Sequence, residues 1–313
     1  MMNELKEMKA TMSSKILEPQ KRLSPTSINT FYKCPRQYFY QYVAKIKVKP
    51  NIHLVKGSIV HKVLEDFFKV YPKDMESALK FYYDKAVKTN DSLLKFLELP
   101  DEELKQELED CWFMIEEYFS MFKREMKGLI LGRKAENEQH AYYLLKPKFR
   151  EKFVEDKELH CCGFIDRINE DFDGLITLGD YKTSKKYGIG LPMDYVRQLS
   201  IYSLLYYTQE KRIPDFVAVD FLRYGKTYNL WVTPSLLQFA RNTITDVWDK
   251  TRSADVGDYP LYESNLCGWC QYNHICSGQE DWEKTLREQK MKELIKKQKK
   301  SAQPISDDKK GGT

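Results

Sequence analysis

Apolar and polar residues in the first part of this 313-residue chain follow the spacing of helices. The apolar rhythm of about 3.6 residues is strongest over residues 102–126. Ser27 is expected to cap a short helix, and Pro35 suits the first turn of the next one, so that Cys34 lies at the junction of two helices. Longer helices are predicted over about 52–70, 73–89 and 102–126.

The pattern changes near Glu138, after which short runs typical of strands follow. A turn at residues 171–174 predicts a hairpin whose paired residue numbers sum to 345 or 346, which places Asp166 opposite Gly179 or Asp180. Strands are predicted over 140–145, 148–154, 159–169, 175–182, 216–224 and 227–232, and helices over 193–210, 234–251 and 279–300. This order predicts an α/β or α+β fold class in which a mixed central sheet is flanked by helices.

Composition changes this picture only slightly. Residues 1–20 are mostly polar and are expected to form a loosely ordered leader rather than a secretory signal, and no run reaches the roughly 20 apolar residues that span a bilayer. Seven cysteines, an odd number, argue against a disulfide scaffold and favour a reducing, cytoplasmic location. Of the net charge of +5, residues 281–313 carry +4, from 10 Lys/Arg against 6 Asp/Glu, so the rest of the chain is close to neutral. Nucleic acid is therefore expected to bind to a local basic patch or to this tail.

Cysteines near the two ends of the chain have the spacing of a metal site. Cys34 lies near the start, and Cys267, Cys270 and Cys276 form a C-x2-C-x5-C pattern. Four converging thiolates can hold zinc or an iron–sulfur cluster. Because the ligands come from both ends, a single domain is predicted over 21–280, with a helical insertion at about 72–130, a cysteine-bearing region at about 24–45 and 262–280, and a basic helical or disordered tail at 281–313.

Charged residues interrupt two apolar strands in the middle of the chain. Asp180 and Lys182 share one strand face with the apolar Ile176 and Leu178, and Asp166 lies in the apolar run of the preceding strand. An unpaired charge in such a position is costly, and neighbouring carboxylates repel each other unless a cation lies between them. Carboxylate oxygens favour Mg²⁺ or Mn²⁺, so a divalent metal site is predicted here.

Two helical pairs complete the candidate site. Gly57, His61 and Glu65 lie along one stripe of a helix, and Gln198 and Tyr202 lie one turn apart on another helix. A lone histidine on a helix is usually packed or exposed, but this stripe also carries a carboxylate and a glycine that permits close approach. Glu65 is expected either to orient His61 or to be a surface acid.

Taken together, these motifs resemble the PD-(D/E)xK nuclease superfamily, specifically its RecB-like branch. The matching segments, in the family's order, are GSIVH at 57–61, GFID at 163–166, GDYKT at 179–183 and QLSIY at 198–202, and the likeness spans about residues 23–276. The resemblance implies a restriction-endonuclease-like core. It also implies the following roles: His61, Asp166 and Asp180, with the carbonyl of Tyr181, bind Mg²⁺ or Mn²⁺, Lys182 is catalytic, and Gln198 and Tyr202 support the lysine or hold the substrate strand.

The cysteine pattern is similar to that of RecB-like nucleases in which one upstream and three downstream cysteines hold a [4Fe–4S] cluster, such as the CRISPR-associated exonuclease and the C-terminal nuclease domain of AddB. The resemblance thus implies a cluster at Cys34, Cys267, Cys270 and Cys276, where zinc remains the alternative. Cys111, Cys161 and Cys162 lack ligand spacing and are expected to be packing residues.

The resemblance implies a metal-dependent deoxyribonuclease, an exonuclease on single-stranded ends in DNA repair, recombination or CRISPR adaptation. The segment of about 90 residues between the His61 helix and the Asp166 strand is longer than in the short CRISPR-associated form. No helicase phosphate loop occurs in the sequence, so unwinding would need a partner such as a helicase or another repair or adaptation protein. The alternative is a non-catalytic DNA-binding or assembly module with the same fold, which the intact D-x-K motif argues against.

Overall fold

A computed structural model describes residues 20–69, 71, 73–185, 188 and 190–301 of the chain. The predicted leader, apart from Gln20, and the end of the predicted tail beyond Ser301 lie outside the described residues. The chain forms two compact units. The larger comprises 21–29 and 49–252, and the smaller comprises 30–48 and 253–301 together with Gln20. The single domain over 21–280 stays a prediction.

The regular elements follow one another in a helical and then a mixed order. Among the described residues they are α1 (Pro25–Lys33), α2 (Pro35–Tyr38), a π-helical turn (Phe39–Val43), α3 (Ile52–Phe67), α4 (Met75–Thr89), α5 (Asp91–Leu97), α6 (Asp101–Leu131), α7 (Glu138–Leu145), β1 (Phe149–Asp156), β2 (Cys161–Glu170), β3 (Ile176–Lys182), α8 (Met193–Glu210), β4 (Phe216–Phe221), β5 (Lys226–Trp231), α9 (Pro234–Lys250), α10 (Asn273–Cys276) and α11 (Trp282–Ser301), with 3₁₀ turns at Leu222–Tyr224, Val256–Asp258 and Cys267–Trp269.

Five strands in the order β1-β2-β3-β4-β5 form one sheet in the larger unit. The neighbours are antiparallel except β3 and β4, which run parallel because α8 connects them. In the β2–β3 hairpin Arg167 pairs with Gly179 and Ile168 with Leu178, so the residue numbers sum to 346. The predicted α/β class, its mixed sheet and the register of this hairpin are confirmed.

Two local predictions were wrong. Residues 140–145 are not a strand but lie in α7, whose first turn is capped by the Asn137 side chain, an acceptor for the backbone N–H of His140 at 2.9 Å. The first helix begins at Pro25, one position after Ser24, and its cap is reciprocal. Ser27 N donates to Ser24 Oγ at 3.1 Å, and Ser24 N donates to Ser27 Oγ at 2.8 Å.

The segment predicted to be a helical insertion contains α4 to α6, whose buried aromatic residues pack on α3 and α7, while its status as an insertion stays a prediction. Fully or almost fully buried side chains at this core include Phe67, Phe68, Phe122 and Tyr142. A charged contact supplements the packing, because Lys56 of α3 is ion-paired with Glu107 and Asp110 of α6. These interactions fix the orientation of the helix that carries His61.

The side chain of a buried arginine passes across strand β3. Arg167 of β2 reaches over Gly179 to Asp220 of β4, where Nε and Nη2 donate to the two carboxylate oxygens at 2.6 and 3.0 Å. A Cβ at position 179 would lie 2.4 Å from Arg167 Nε, so only glycine permits this path. The first residue of the GDYKT segment is therefore required by packing.

The smaller unit has an aromatic core. Tyr38 stacks on Tyr259 with ring centroids 6.1 Å apart, and Phe39 lies edge-to-face against Trp282 at 5.3 Å. Arg36 Nε donates to the carbonyl of Tyr259 at 2.8 Å. In neither unit is any described helix long and apolar enough to traverse a lipid bilayer.

Candidate active site

His61 faces the sheet from the middle of α3. The helix begins after Asn51, whose side chain accepts from Leu54 N, and so places His61 in its third turn. Its Nδ1 lies 3.4 Å from Asp166 Oδ1, and its Nε2 lies 3.1 Å from the carbonyl oxygen of Tyr181. Burial lowers the pKa of His61, but the charge of Asp166, its hydrogen bond to the imidazole and the charge of Asp180 together outweigh burial and raise this pKa to about 9.

Asp166 connects this histidine to strand β3. Its Oδ2 accepts a hydrogen bond of 2.6 Å from the backbone N–H of Tyr181, and its side chain is nearly buried. Burial raises the pKa of Asp166, but His61 and the Tyr181 N–H together outweigh this effect and hold the pKa below its usual value. Asp166 is thus an ionised carboxylate that holds two elements of the site together.

Asp180 and Lys182 form an ion pair at the end of β3. Lys182 Nζ lies 2.6 Å from Asp180 Oδ2 and donates to Gln198 Oε1 at 2.8 Å. Burial raises the pKa of Asp180 to about 6, and Asp166 adds to this shift while Lys182 opposes it. Burial lowers the pKa of Lys182, but Asp180 more than compensates, so the lysine stays protonated at neutral pH.

Gln198 of α8 bridges the pair. Its Nε2 donates to Asp180 Oδ1 at 2.8 Å and also lies 3.1 Å from the hydroxyl of Tyr202, one helical turn further along. The Tyr202 ring packs over Gly163 of β2, where a Cβ would come within 3.0 Å of it. The glycine of the GFID segment thereby admits the α8 tyrosine to the site.

Sequence reasoning missed Glu151 of β1. Its carboxylate joins His61 and Asp166 in a group whose potential ligand atoms all lie within 4.8 Å of one another. The strand pairing on either side, Arg150 with Arg167 and Lys152 with Ile165, places Glu151 beside Asp166. Burial, aided by Asp166, raises the pKa of Glu151. The sequence signal that could have identified Glu151 is an acidic residue between two phenylalanines of a strand, Phe149 and Phe153.

The donor set suits a divalent cation. Three carboxylates and one imidazole surround the space between α3 and the sheet, which is the ligand chemistry of Mg²⁺ or Mn²⁺. Asp180 is not part of the 4.8 Å group, since its carboxylate is turned to Lys182. Its Oδ2 is buried and is paired with the Lys182 ammonium at 2.6 Å, so a metal ion there would share this oxygen with the lysine.

Glu65 does not belong to this group. It lies one turn beyond His61, and its carboxylate pairs with Lys62 at 2.7 Å and Lys69 at 3.5 Å on the same helix. Of the two expectations for Glu65, these contacts match the surface acid.

The predicted ligand cysteines converge within the smaller unit. Cys34, Cys267, Cys270 and Cys276 all line one small cavity of about 40 Å³. Burial raises the pKa of Cys276, and its neighbours Cys270 and Cys34 add to the shift. In the part of the chain that the structure describes, no three of these sulfur atoms lie within 4.8 Å of one another. The remaining cysteines, Cys111 and Cys161, are buried, and Cys162 is half-buried.

A mixed sheet that presents a histidine, acidic residues and a D-x-K lysine to one site defines the class of metal-dependent nucleases. The family model of the PD-(D/E)XK nuclease superfamily matches residues 22–277, and the chain belongs to that superfamily. It is therefore a nuclease, from a family that uses divalent metal ions.

The comparison with solved structures gave several matches. The chain matches the crystal structure of a "Putative exonuclease" from Eubacterium rectale at 15% sequence identity, with a TM-score of 0.46, over 81% of this chain and 88% of that chain. No curated protein matches the chain.

Proposed function

We propose that this nuclease is a metal-dependent deoxyribonuclease that hydrolyses phosphodiester bonds at single-stranded DNA ends. The observation that carries the proposal is the meeting of His61, Glu151 and Asp166 within 4.8 Å, next to the ion pair of Asp180 and Lys182. A structural role alone does not account for so many buried charges around one space, since each costs free energy unless it is paired.

Mg²⁺ or Mn²⁺ would be held by His61, Glu151, Asp166 and Asp180, with the Tyr181 carbonyl oxygen beside them. When bound, such an ion polarises the scissile phosphate and lowers the pKa of a bound water. The imidazole must be neutral to serve as a ligand. In the present arrangement Nε2 and the Tyr181 carbonyl oxygen lie 3.1 Å apart, close enough for both to be ligands of one ion.

Lys182 is the proposed catalytic cation. Its ammonium is protonated, lies between Asp180 and Gln198, and is aimed by these two contacts. A preorganised cation of this kind stabilises the negative charge that develops on the phosphate oxygens, and it orients the attacking water. Gln198 keeps Lys182 and Asp180 at a fixed separation, and Tyr202 supports Gln198 from the next turn of α8. Both helical residues therefore act as positioning residues.

The preference for single-stranded ends follows from the likeness of the four motifs to RecB-like nucleases. A role in repair, recombination or CRISPR adaptation, with a helicase or another adaptation protein as partner, rests on the same likeness. The cleavage polarity is left open by these motifs.

We further propose that the four cysteines hold a [4Fe–4S] cluster rather than zinc. This preference rests on the pattern of one upstream and three downstream cysteines, which is similar to that of RecB-like nucleases with a [4Fe–4S] cluster. The cluster would tie Cys34 to the C-terminal cysteines and so stabilise the smaller unit.

One assay tests the nuclease assignment. End-labelled single- and double-stranded DNA is incubated with Mn²⁺, Mg²⁺ or EDTA, and the products are resolved by length. Metal-dependent shortening of single strands is expected for the wild-type protein. The variant K182A should be inactive and K157A, an exposed lysine of the β1–β2 turn, should be fully active. DNA binding without cleavage under any metal would instead identify a non-catalytic module.

A further inference from the structure

Two phenylalanines form an exposed pair on the β1–β2 hairpin. Phe153 and Phe164 are direct cross-strand partners, and their ring centroids lie 5.1 Å apart. Phe153 is 41% exposed and Phe164 is 54% exposed, although each lies in a strand whose neighbouring residues Val154 and Ile165 are fully buried. Single exposed apolar residues need no explanation, but two large rings packed side by side on a sheet form a continuous apolar surface.

The two aromatic residues occupy the same strands as two carboxylate residues of the active site. Phe153 is two residues from Glu151 along β1, and Phe164 is two residues from Asp166 along β2. Two residues of a strand span about 7 Å. This distance is comparable to the separation between a phosphate and the base of its own nucleotide. A phosphodiester bound to a cation at these carboxylates therefore carries a base within reach of the two rings.

We propose that Phe153 and Phe164 are a stacking platform for the nucleobase next to the scissile phosphate. The proposal rests on the proposed function, because it names the substrate contact of the same site. Phenylalanine offers a π-face and no hydrogen-bonding group, so the platform accepts any base and reads no sequence. The occupant is a nucleobase rather than an apolar protein segment, because each ring lies two residues along its strand from a carboxylate that would hold the phosphate-binding cation.

The platform also supplies a physical reason for selecting unpaired DNA. A base inside a duplex is paired and stacked on both faces, so it must be unstacked before it can lie on protein rings. A base near a single-stranded end is already free to do so. Phe153 and Phe164 would therefore favour cleavage of single strands, and duplex DNA would be cleaved mainly where its ends fray.

The test combines changes in the protein with changes in the substrate, in the manner of a double-mutant cycle. A fluorescent single-stranded oligonucleotide is compared with matched oligonucleotides in which one nucleotide at a time lacks its base, starting at the cleaved end. For the wild-type protein, kcat/KM should fall about 10- to 100-fold when the base next to the cleaved bond is missing. F164A should lower kcat/KM on the intact strand by a similar factor and should show no further loss on the abasic strand.

Three controls keep the outcome decisive. F164L retains apolar volume and should lose the same coupling, whereas F164Y retains the ring and should keep it. F81A removes an exposed ring of α4 and should behave as wild type. Thermal unfolding is recorded for each variant, and the wild-type abasic series needs no variant at all.

Two results would overturn the stacking platform while the wild-type enzyme still cleaves DNA. One is equal kcat/KM for intact and abasic strands in the wild-type protein. The other is an undiminished abasic effect in F164A and F164L. Failure of the proposed function would look different, since the wild-type protein would then cleave no strand, with or without its bases.

Discussion

Replacement of Asp220 by alanine should destabilise the larger unit strongly, because it leaves a buried arginine without its ion-pair partner. Arg167 donates to both oxygens of Asp220, at 2.6 and 3.0 Å, and the two side chains are only 12% and 2% exposed. Thr227 Oγ1 donates to the same carboxylate at 2.7 Å. In D220A the guanidinium keeps one contact, to Asn169 Oδ1 at 2.7 Å, and loses its counter-charge.

The size of the effect follows from this burial. Removing one partner of a buried ion pair costs about 3–5 kcal/mol, because the remaining charge is neither hydrated nor compensated. For a unit of this size, each kcal/mol shifts the melting temperature by about 2–4 °C. D220A should therefore melt about 6–20 °C below the wild-type protein, as followed by circular dichroism or by urea titration.

Matched variants separate the buried charge from other effects. D84A breaks an exposed pair with Lys80, in which both side chains are more than half exposed, and should change the free energy of unfolding by less than about 1 kcal/mol. The double variant R167M/D220L removes both charges and should recover most of the stability that D220A loses. A loss of less than about 1 kcal/mol in D220A, or a double variant no more stable than D220A, would refute the reasoning.

Three further predictions concern the two candidate metal sites. K182A should lower cleavage at least about 10²- to 10³-fold while Mn²⁺ binding, measured by calorimetry, persists, and full activity in this variant would remove Lys182 from the mechanism. The pKa of His61 is about 9 without metal, so metal binding must displace a proton at neutral pH. The apparent Mn²⁺ affinity should therefore rise from pH 7 to 9 in the wild-type protein and rise less in H61A. A wild-type affinity that does not change with pH would contradict the ligand role of His61. Anaerobically purified protein should be brown and contain iron, C270S should lose both, and C111S should keep them; a colourless wild-type protein with stoichiometric zinc would reverse the cluster assignment.

Local sequence signals were sufficient for the central part of the site. A turn with two aspartates and a glycine set the β2–β3 register, and this register alone placed Asp166 and Asp180 on neighbouring strands. The one-turn spacing of Gln198 and Tyr202 likewise predicted side chains that the structure brings into contact. Their catalytic roles stay predictions.

Other features depend on tertiary context that no local pattern contains. Glu151 looks like an ordinary charge on a strand, and it becomes a site residue only because β1 pairs with β2 beside Asp166. Residues 140–145 fit a strand by composition, but a capping asparagine and the buried Ala141 and Tyr142 select a helix. Competition between local propensity and packing was decided by packing in this case.

The bridge formed by Gln198 bears on how the protein can be captured with its substrate. Because Gln198 donates to Asp180 independently of Lys182, we expect the acid to keep its hydrogen bond to α8 when the lysine is shortened. An inactive but correctly folded variant of this kind could be saturated with DNA and its cation. It could then be crystallised, or frozen for electron microscopy, with an uncut strand bound. The amide of one glutamine thus makes a trapped complex attainable.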